Sequence, residues 1–158
     1  AITDANVFID LIYIELHEEL FAIDLEIHTT HNVFYELNEK QQSVLSKFVK
    51  KKQLTLHSQE ELKLPDDIRN NKRLSDSDKS VFSLAVELDA FILTGDDLLR
   101  KISGVQMIEV HGVLWLFDRF LENKLITKKK AAAQLKHLRG YNKRLPPDEC
   151  EKRISIWS

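Results

Sequence analysis

The chain has 158 residues, 43% of them hydrophobic and 30% charged, with only four glycines and three prolines. That length fits one domain with a substantial core. The composition excludes disordered, collagen-like and low-complexity classes and favours a soluble, helix-rich globular protein. The formal net charge of −2 hides an asymmetry. Residues 1–40 hold nine acids (Asp4, Asp10, Glu15, Glu18, Glu19, Asp24, Glu26, Glu36 and Glu39) against Lys40 alone, whereas residues 123–158 hold ten bases and three acids.

That distribution leaves room for a basic face beside an acidic centre, although runs such as Lys50–Lys52 and Lys128–Lys130 are more often solvated helix ends. No apolar run approaches the ~20 residues of a membrane span. The early Asp and the missing basic lead are unlike a signal peptide, and a start at Ala1 in place of Met points to a processed beginning. Cys150 is the one cysteine and cannot form an internal disulfide, which fits a reducing cytoplasm. The six histidines are scattered without zinc-site spacing.

Ala1-Ile2-Thr3 reads as a short strand ending in Asp4, with Asn6 two residues on. An acid there stands at the carboxyl edge of a parallel sheet, where open α/β folds bind ligands, or it simply caps the next helix. Residues Val7 to Leu20 read as helical in one or two pieces, with Phe8, Leu11, Ile12, Leu16 and Leu20 in register. In this reading Asp10 is a helical surface or ion-pair residue. A second strand is expected near Glu26–Thr29, then a helix capped by Asn32 with Glu36 in its early turns, and another helix from Gln41 to Lys51. Leu54–His57 is a third strand. Ser58 opens an acidic segment, and Pro65 breaks or starts the helix after it.

Leu74-Ser75-Asp76-Ser77-Asp78 opens an amphipathic helix of about four turns, carrying Val81, Phe82, Leu84, Ala85 and Leu88. Ala90–Thr94 is a continuously apolar, central strand that stops at Gly95-Asp96-Asp97. A short helix begins at Leu98, a strand spans Val105–Val110, and His111-Gly112 leads into a helix through Trp115, Phe117, Phe120 and Leu121. Lys128–Arg139 reads as a basic helix ended by Gly140, with Ala132, Leu135 and Leu138 inward. Pro146-Pro147 precede a last helix with Cys150, Ile154 and Trp157. The alternation predicts a right-handed, mostly parallel α/β sheet with helices on both faces.

Asp4 and Asp96 thus end parallel strands, and Glu36 and Asp78 lie in early turns of helices that pack on the sheet. Four clustered carboxylates repel and resist ionisation unless a hard cation with oxygen ligands, such as Mg2+ or Mn2+, sits among them. Spacing alone does not bring the four together.

The sequence resembles PIN-domain nucleases, most of all the small prokaryotic VapC-like toxins and their uncharacterised relatives. Four stretches carry the resemblance: Ile2–Asp10 with its Asp-x-Asn, Thr29–Leu37 with Glu36, Leu74–Ala85 with Asp78, and Phe91–Asp96 with its Thr-x-Asp. They keep order and rough spacing over residues 1 to about 122. The tail, with Asn142-Lys143-Arg144-Leu145-Pro146, resembles the C-terminal extension of one subgroup. The resemblance implies a PIN-like three-layer α/β/α fold, with a core over 1–122 and a helical extension over 123–158. It implies Mg2+- or Mn2+-dependent cleavage of RNA by an endoribonuclease. Asp4, Glu36, Asp78 and Asp96 would be the ligands and catalytic residues, with Asn6 and Thr94 orienting ligands or water. It also implies a toxin–antitoxin role, a cognate antitoxin partner, and a homodimer or higher oligomer.

Each residue has a plainer reading as a cap, a turn or an exposed helical acid, and Asp76 or Asp97 can replace its neighbour. Asp97 is read as the cap of the helix after Gly95. His31 near Glu36 is more simply a turn or core residue than a contact to RNA or metal. Trp115, Phe117 and Phe120 fit core or dimer contact better than base stacking. Two other functions compete: a PIN-like scaffold that binds RNA or protein without cleaving, and a receiver-like phosphoacceptor. The receiver expects a late strand-end Lys, where this chain has His111.

Overall fold

The computed structural model describes residues 1–59 and 61–158. Its centre is β1 (Ile2–Thr3), fully buried, with β2 (Ile27–Thr30) on one side and β4 (Ile92–Leu93) on the other. β3 (Leu54–His57) and β5 (Val110–His111) form the edges, giving the order β3-β2-β1-β4-β5. All pairings are parallel, with Ile2 opposite His28 and Ile92, and Thr3 opposite Leu93. Parallel strands buried on both faces need continuous apolar runs, which Phe91-Ile92-Leu93 supplies. The whole is a three-layer α/β/α fold. The strand order differs from the 2-1-3-4-5 order of receiver-type sheets, so the phosphoacceptor reading is set aside.

The chain builds β1, β2 and β3 outward in one direction, then crosses to the far side of β1 for β4 and β5. The order therefore reverses between β1 and β4. At such a switch point the loops leaving two adjacent strands diverge and open a crevice at their carboxyl ends.

The first helical stretch is two helices, α1 (Ala5–Tyr13) and α2 (His17–Ala22), separated where Glu15 takes φ 57°. α3 (His31–Glu36) is capped by the Thr30 hydroxyl, which accepts from the Val33 amide at 3.2 Å, and not by Asn32. α4 (Glu39–Lys50) starts two residues earlier than expected because Asn38 and Gln41 form a reciprocal capping box. The acidic segment expected from Ser58 includes Glu60, which lies outside the described residues. Pro65 then caps the single turn of α5 (Asp66–Arg69).

α6 (Asp76–Leu88) lies across β2, β1 and β4. Small buried serines at 77, 80 and 83 let it approach the sheet, and Ser80 Oγ bonds Thr30 Oγ1 at 2.8 Å. α7 (Asp97–Val105) consumes the residue at which a strand was expected to start. Met107 then turns the chain at φ 62°, leaving only Val110 and His111 in the ladder. α8 (Val113–Glu122) buries Phe117 and Phe120, while half-buried Trp115 stacks on His111 at 4.3 Å.

α9 (Lys128–Tyr141) runs through Gly140 and ends at Asn142, past the expected stop. Pro147 occupies the first turn of α10 (Pro147–Trp157), where its missing amide costs nothing. Leu135, Leu138, Cys150 and Trp157 join the same hydrophobic cluster as Ile2, Phe8 and Leu116. Each such large side chain contributes roughly 1.5–3 kcal/mol on burial. Among the described residues no helix is long and apolar enough to cross a membrane.

Candidate active site

Asp4 leaves β1 at the switch point, and its backbone amide still donates to Leu93 O at 3.0 Å, so the parallel ladder fixes its position. The side chain then caps α1, Oδ1 accepting from the Val7 amide at 3.2 Å. Its other oxygen accepts from the Thr94 hydroxyl, at the end of β4. Thr94 Oγ1 in turn accepts from the Asp96 amide at 3.0 Å. The reading of Asp4 as a helix cap therefore holds, and the same carboxyl also binds the end of β4 through Thr94. One short Thr-Gly-Asp turn ties the two strand-end acids together.

Asp96, half-buried, caps α7 through a 2.8 Å bond from the Leu99 amide. The cap is thus Asp96 and not Asp97, which is an exposed residue of the first turn. At the start of α6, Ser75 is the cap and Asp78 the third residue of a capping box. Asp78 Oδ2 accepts from the Ser75 amide at 3.1 Å, and Ser75 Oγ accepts from the Asp78 amide at 3.0 Å. That box holds Asp78 toward the sheet edge and leaves Asp76 exposed.

Glu36, the last residue of α3, stands exposed at the rim, and Asn6 is exposed on the first turn of α1. Asp4, Asn6, Glu36 and Asp78 line one small cavity of about 40 Å3. Asp96 does not line that cavity and is tied to Asp4 through Thr94, whose hydroxyl oxygen accepts the Asp96 amide. His31 stacks on exposed Tyr35 beside it, with ring centroids 5.8 Å apart.

Burial and mutual repulsion shift two of these carboxyls. Burial pushes the Asp4 carboxyl up to about 7; hydrogen bonds from Thr94 and Val7 oppose this, and the charges of Asp78 and Asp96 add to it. Asp78 is raised too, by burial first and then by Asp96 and Glu36, against its bonds to Ser75. The acids that bear on Asp4 are thus Asp78 and Asp96, while Glu36 bears on Asp78. None of Asp4, Glu36, Asp78 and Asp96 makes a salt bridge among the described residues.

A buried carboxyl crowded by further carboxylates, all of them oxygen donors, fits a hard divalent cation in its chemistry. The donors stand apart: among the described residues no group of three or more His, Cys, Asp or Glu side chains closes on one point.

Three features escaped the sequence pattern. Asp10 is buried, 6% exposed, not on the surface, and accepts from Asn142 Nδ2 at 2.9 Å. Burial raises its carboxyl to about 6 against that bond. The signal was its place between Val7 and Ile14 on the apolar side of α1. Arg100 reaches back six residues, past the start of α7, to donate to Thr94 O at 3.3 Å. Ser75, not singled out by the pattern, caps α6 and orients Asp78.

A family model described as a PIN domain matches residues 1–158. No curated protein matches the chain. With this match over its whole length and a five-stranded parallel sheet, the chain belongs to the PIN-domain family, whose fold is that of a nuclease.

Proposed function

We propose that the protein is a metal-dependent endoribonuclease that hydrolyses RNA phosphodiester bonds, with Asp4, Glu36, Asp78 and Asp96 holding Mg2+ or Mn2+. The observation that carries the proposal is the crowding at the switch point, where Asp4 is 4% exposed and raised to about 7 by burial with Asp78 and Asp96 adding to it. PIN nucleases generally use divalent metals. When bound, such an ion supplies Lewis acidity toward a phosphate and makes water a nucleophile at neutral pH. The chain's own part is to fix the acids. Thr94 holds one oxygen of Asp4, the Ser75 box aims Asp78, and Asn6 stands at the mouth to orient water or phosphate.

The test is cleavage of a panel of structured and single-stranded RNAs with Mg2+ and with Mn2+. Asp4→Asn and Asp96→Asn should abolish cleavage with the fold intact, and excess chelator should do the same. Full activity in either variant would sink the proposal. A non-cleaving PIN-like scaffold is separated by calorimetry, since it would show no divalent-ion binding.

We further propose that it is the toxin of a type II toxin–antitoxin pair, one PIN-like unit of a 1–122 core with a 123–158 extension. It would act in the cytoplasm as a homodimer or higher oligomer and be neutralised by a cognate antitoxin. The resemblance of its opening stretch to VapC-like toxins supports this. A small DNA-binding protein encoded in the adjacent reading frame is expected, and a solitary gene would count against the toxin role.

A further inference from the structure

The acidic cavity, at about 40 Å3, has room for an ion and a few waters, each needing ~10–15 Å3 of such space. A nucleotide has to lie beside it. Asn6 lines both this cavity and a groove of about 500 Å3 whose far wall is the turn joining α9 to α10. A second cavity of about 410 Å3 shares Asp10, Gly95, Asn142 and Arg144 with that groove and continues it to Arg100 and Trp115. The extension therefore does more than cover the core, because it builds one side of a channel that starts at the acids.

The turn is held in place before any ligand arrives. Asn142 donates its Nδ2 to Asp10 on α1, and its side-chain Oδ1 accepts from the Arg144 amide at 3.0 Å. This presents Lys143 and Arg144, both exposed, over the groove. Neither they nor Arg100 form a salt bridge among the described residues. Of the acids on the wall, Asp10 is engaged by Asn142 and Glu149 by Arg153, leaving Asp97. Tyr141, 48% exposed, lines the same groove at one end of a three-ring stack: it lies 4.0 Å from Tyr13, which stacks on His137.

We propose that this groove is the track for single-stranded RNA, with a base stacked on Tyr141 and neighbouring phosphates met by Lys143 and Arg144, and by Arg100 further along. The proposal rests on the ribonuclease reading of the adjoining acids. Unpaired cations suit a phosphate chain, and an aromatic face at the lip suits an unpaired base, which a duplex keeps stacked inside. An acidic peptide would use the cations but has no need of the ring.

The experiment is equilibrium binding of a fluorescein-labelled single-stranded RNA of about 12 nucleotides, within the range such grooves span. It uses full-length Asp4→Asn protein so that no cleavage intervenes. Tyr141→Ala is expected to weaken binding about tenfold and Tyr141→Phe to restore it. Replacing both Lys143 and Arg144 with Ala should lower the slope of log K against log salt by about 1.4, at ~0.7 per lost contact to a single strand. Unchanged affinity and slope in these folded variants overturn the groove assignment. If they lose poly-glutamate binding and keep RNA binding, the groove takes an acidic protein segment and the assignment is again overturned. The two readings part cleanly. Wild-type cleavage with unaltered binding in the variants defeats only the groove, whereas binding lost in the variants without wild-type cleavage supports the groove and defeats the nuclease.

Discussion

Thr94 donates its hydroxyl proton to Asp4 across the gap between β4 and β1, and the same oxygen accepts the Asp96 amide. The hydroxyl thus favours the charged form of a carboxyl that burial disfavours. Thr94→Val keeps the shape and removes the bond. Asp4 should then titrate still higher, and the acidic limb of the pH–rate profile should move to higher pH. A loss of about 1–3 kcal/mol of stability is expected from the unpaired Asp96 amide. A pH limb that stays in place would remove Asp4 from the rate-controlling ionisation.

Stability should fall as pH rises in metal-free protein. The folded pKa of Asp4, about 7, and of Asp10, about 6, both lie above the ordinary 3.8. Between those values the folded chain binds more protons than the unfolded one, so the contribution is full below about 4 and lost as pH climbs through 6 and 7. Thermal midpoints in chelator should drop by several degrees from pH 5 to pH 8, and Mg2+ should restore them mostly at the upper end.

Asp4→Asn should separate activity from stability. Asparagine caps a helix as well as aspartate does, and it removes a charge that is buried and repelled. Cleavage should fall by at least about 100-fold, in line with losing a residue that holds the ion. The urea midpoint in chelator at pH 8 should meanwhile rise above wild type. A variant that is inactive because it is unfolded contradicts this.

The capping box at Ser75 predicts a graded pair of variants. Ser75→Ala should cost about 1 kcal/mol and also release Asp78 from its orientation, weakening divalent-ion affinity. Ser75→Thr keeps the oxygen and should keep both. Calorimetric titration of the ion alongside urea unfolding reads the two effects separately.

Much of the fold was legible because its signals are local. Phe91–Leu93 reads as a central strand, and the acids at positions 4 and 96 come after strands by simple punctuation. The strand expected over Val105–Val110 shrinks to Val110–His111 because Leu98, Leu99, Ile102 and Ser103 carry a helical stripe, and the helix it anchors runs on to Val105, which is itself exposed. β-branched residues near its end do not outweigh that packing. Gly140 does not stop α9, since no glycine takes a positive φ and the helix runs on to Tyr141. The Asp10–Asn142 pair, 132 residues apart, has no local signature at all. Asp96 and Asp97 are alike in composition, and the turn bonded to Thr94 is what aims Asp96 at the Leu99 amide.

In the proposed nuclease Asp4 serves at once as helix cap and as site acid, and that double duty bears on how such proteins change over generations. One base separates an aspartate codon from an asparagine codon, and the substitution keeps the cap while it silences the carboxylate. Loss of activity is therefore a single, structurally painless step. Lineages under pressure to shed the activity can keep the folded body intact, free to be recruited for binding alone.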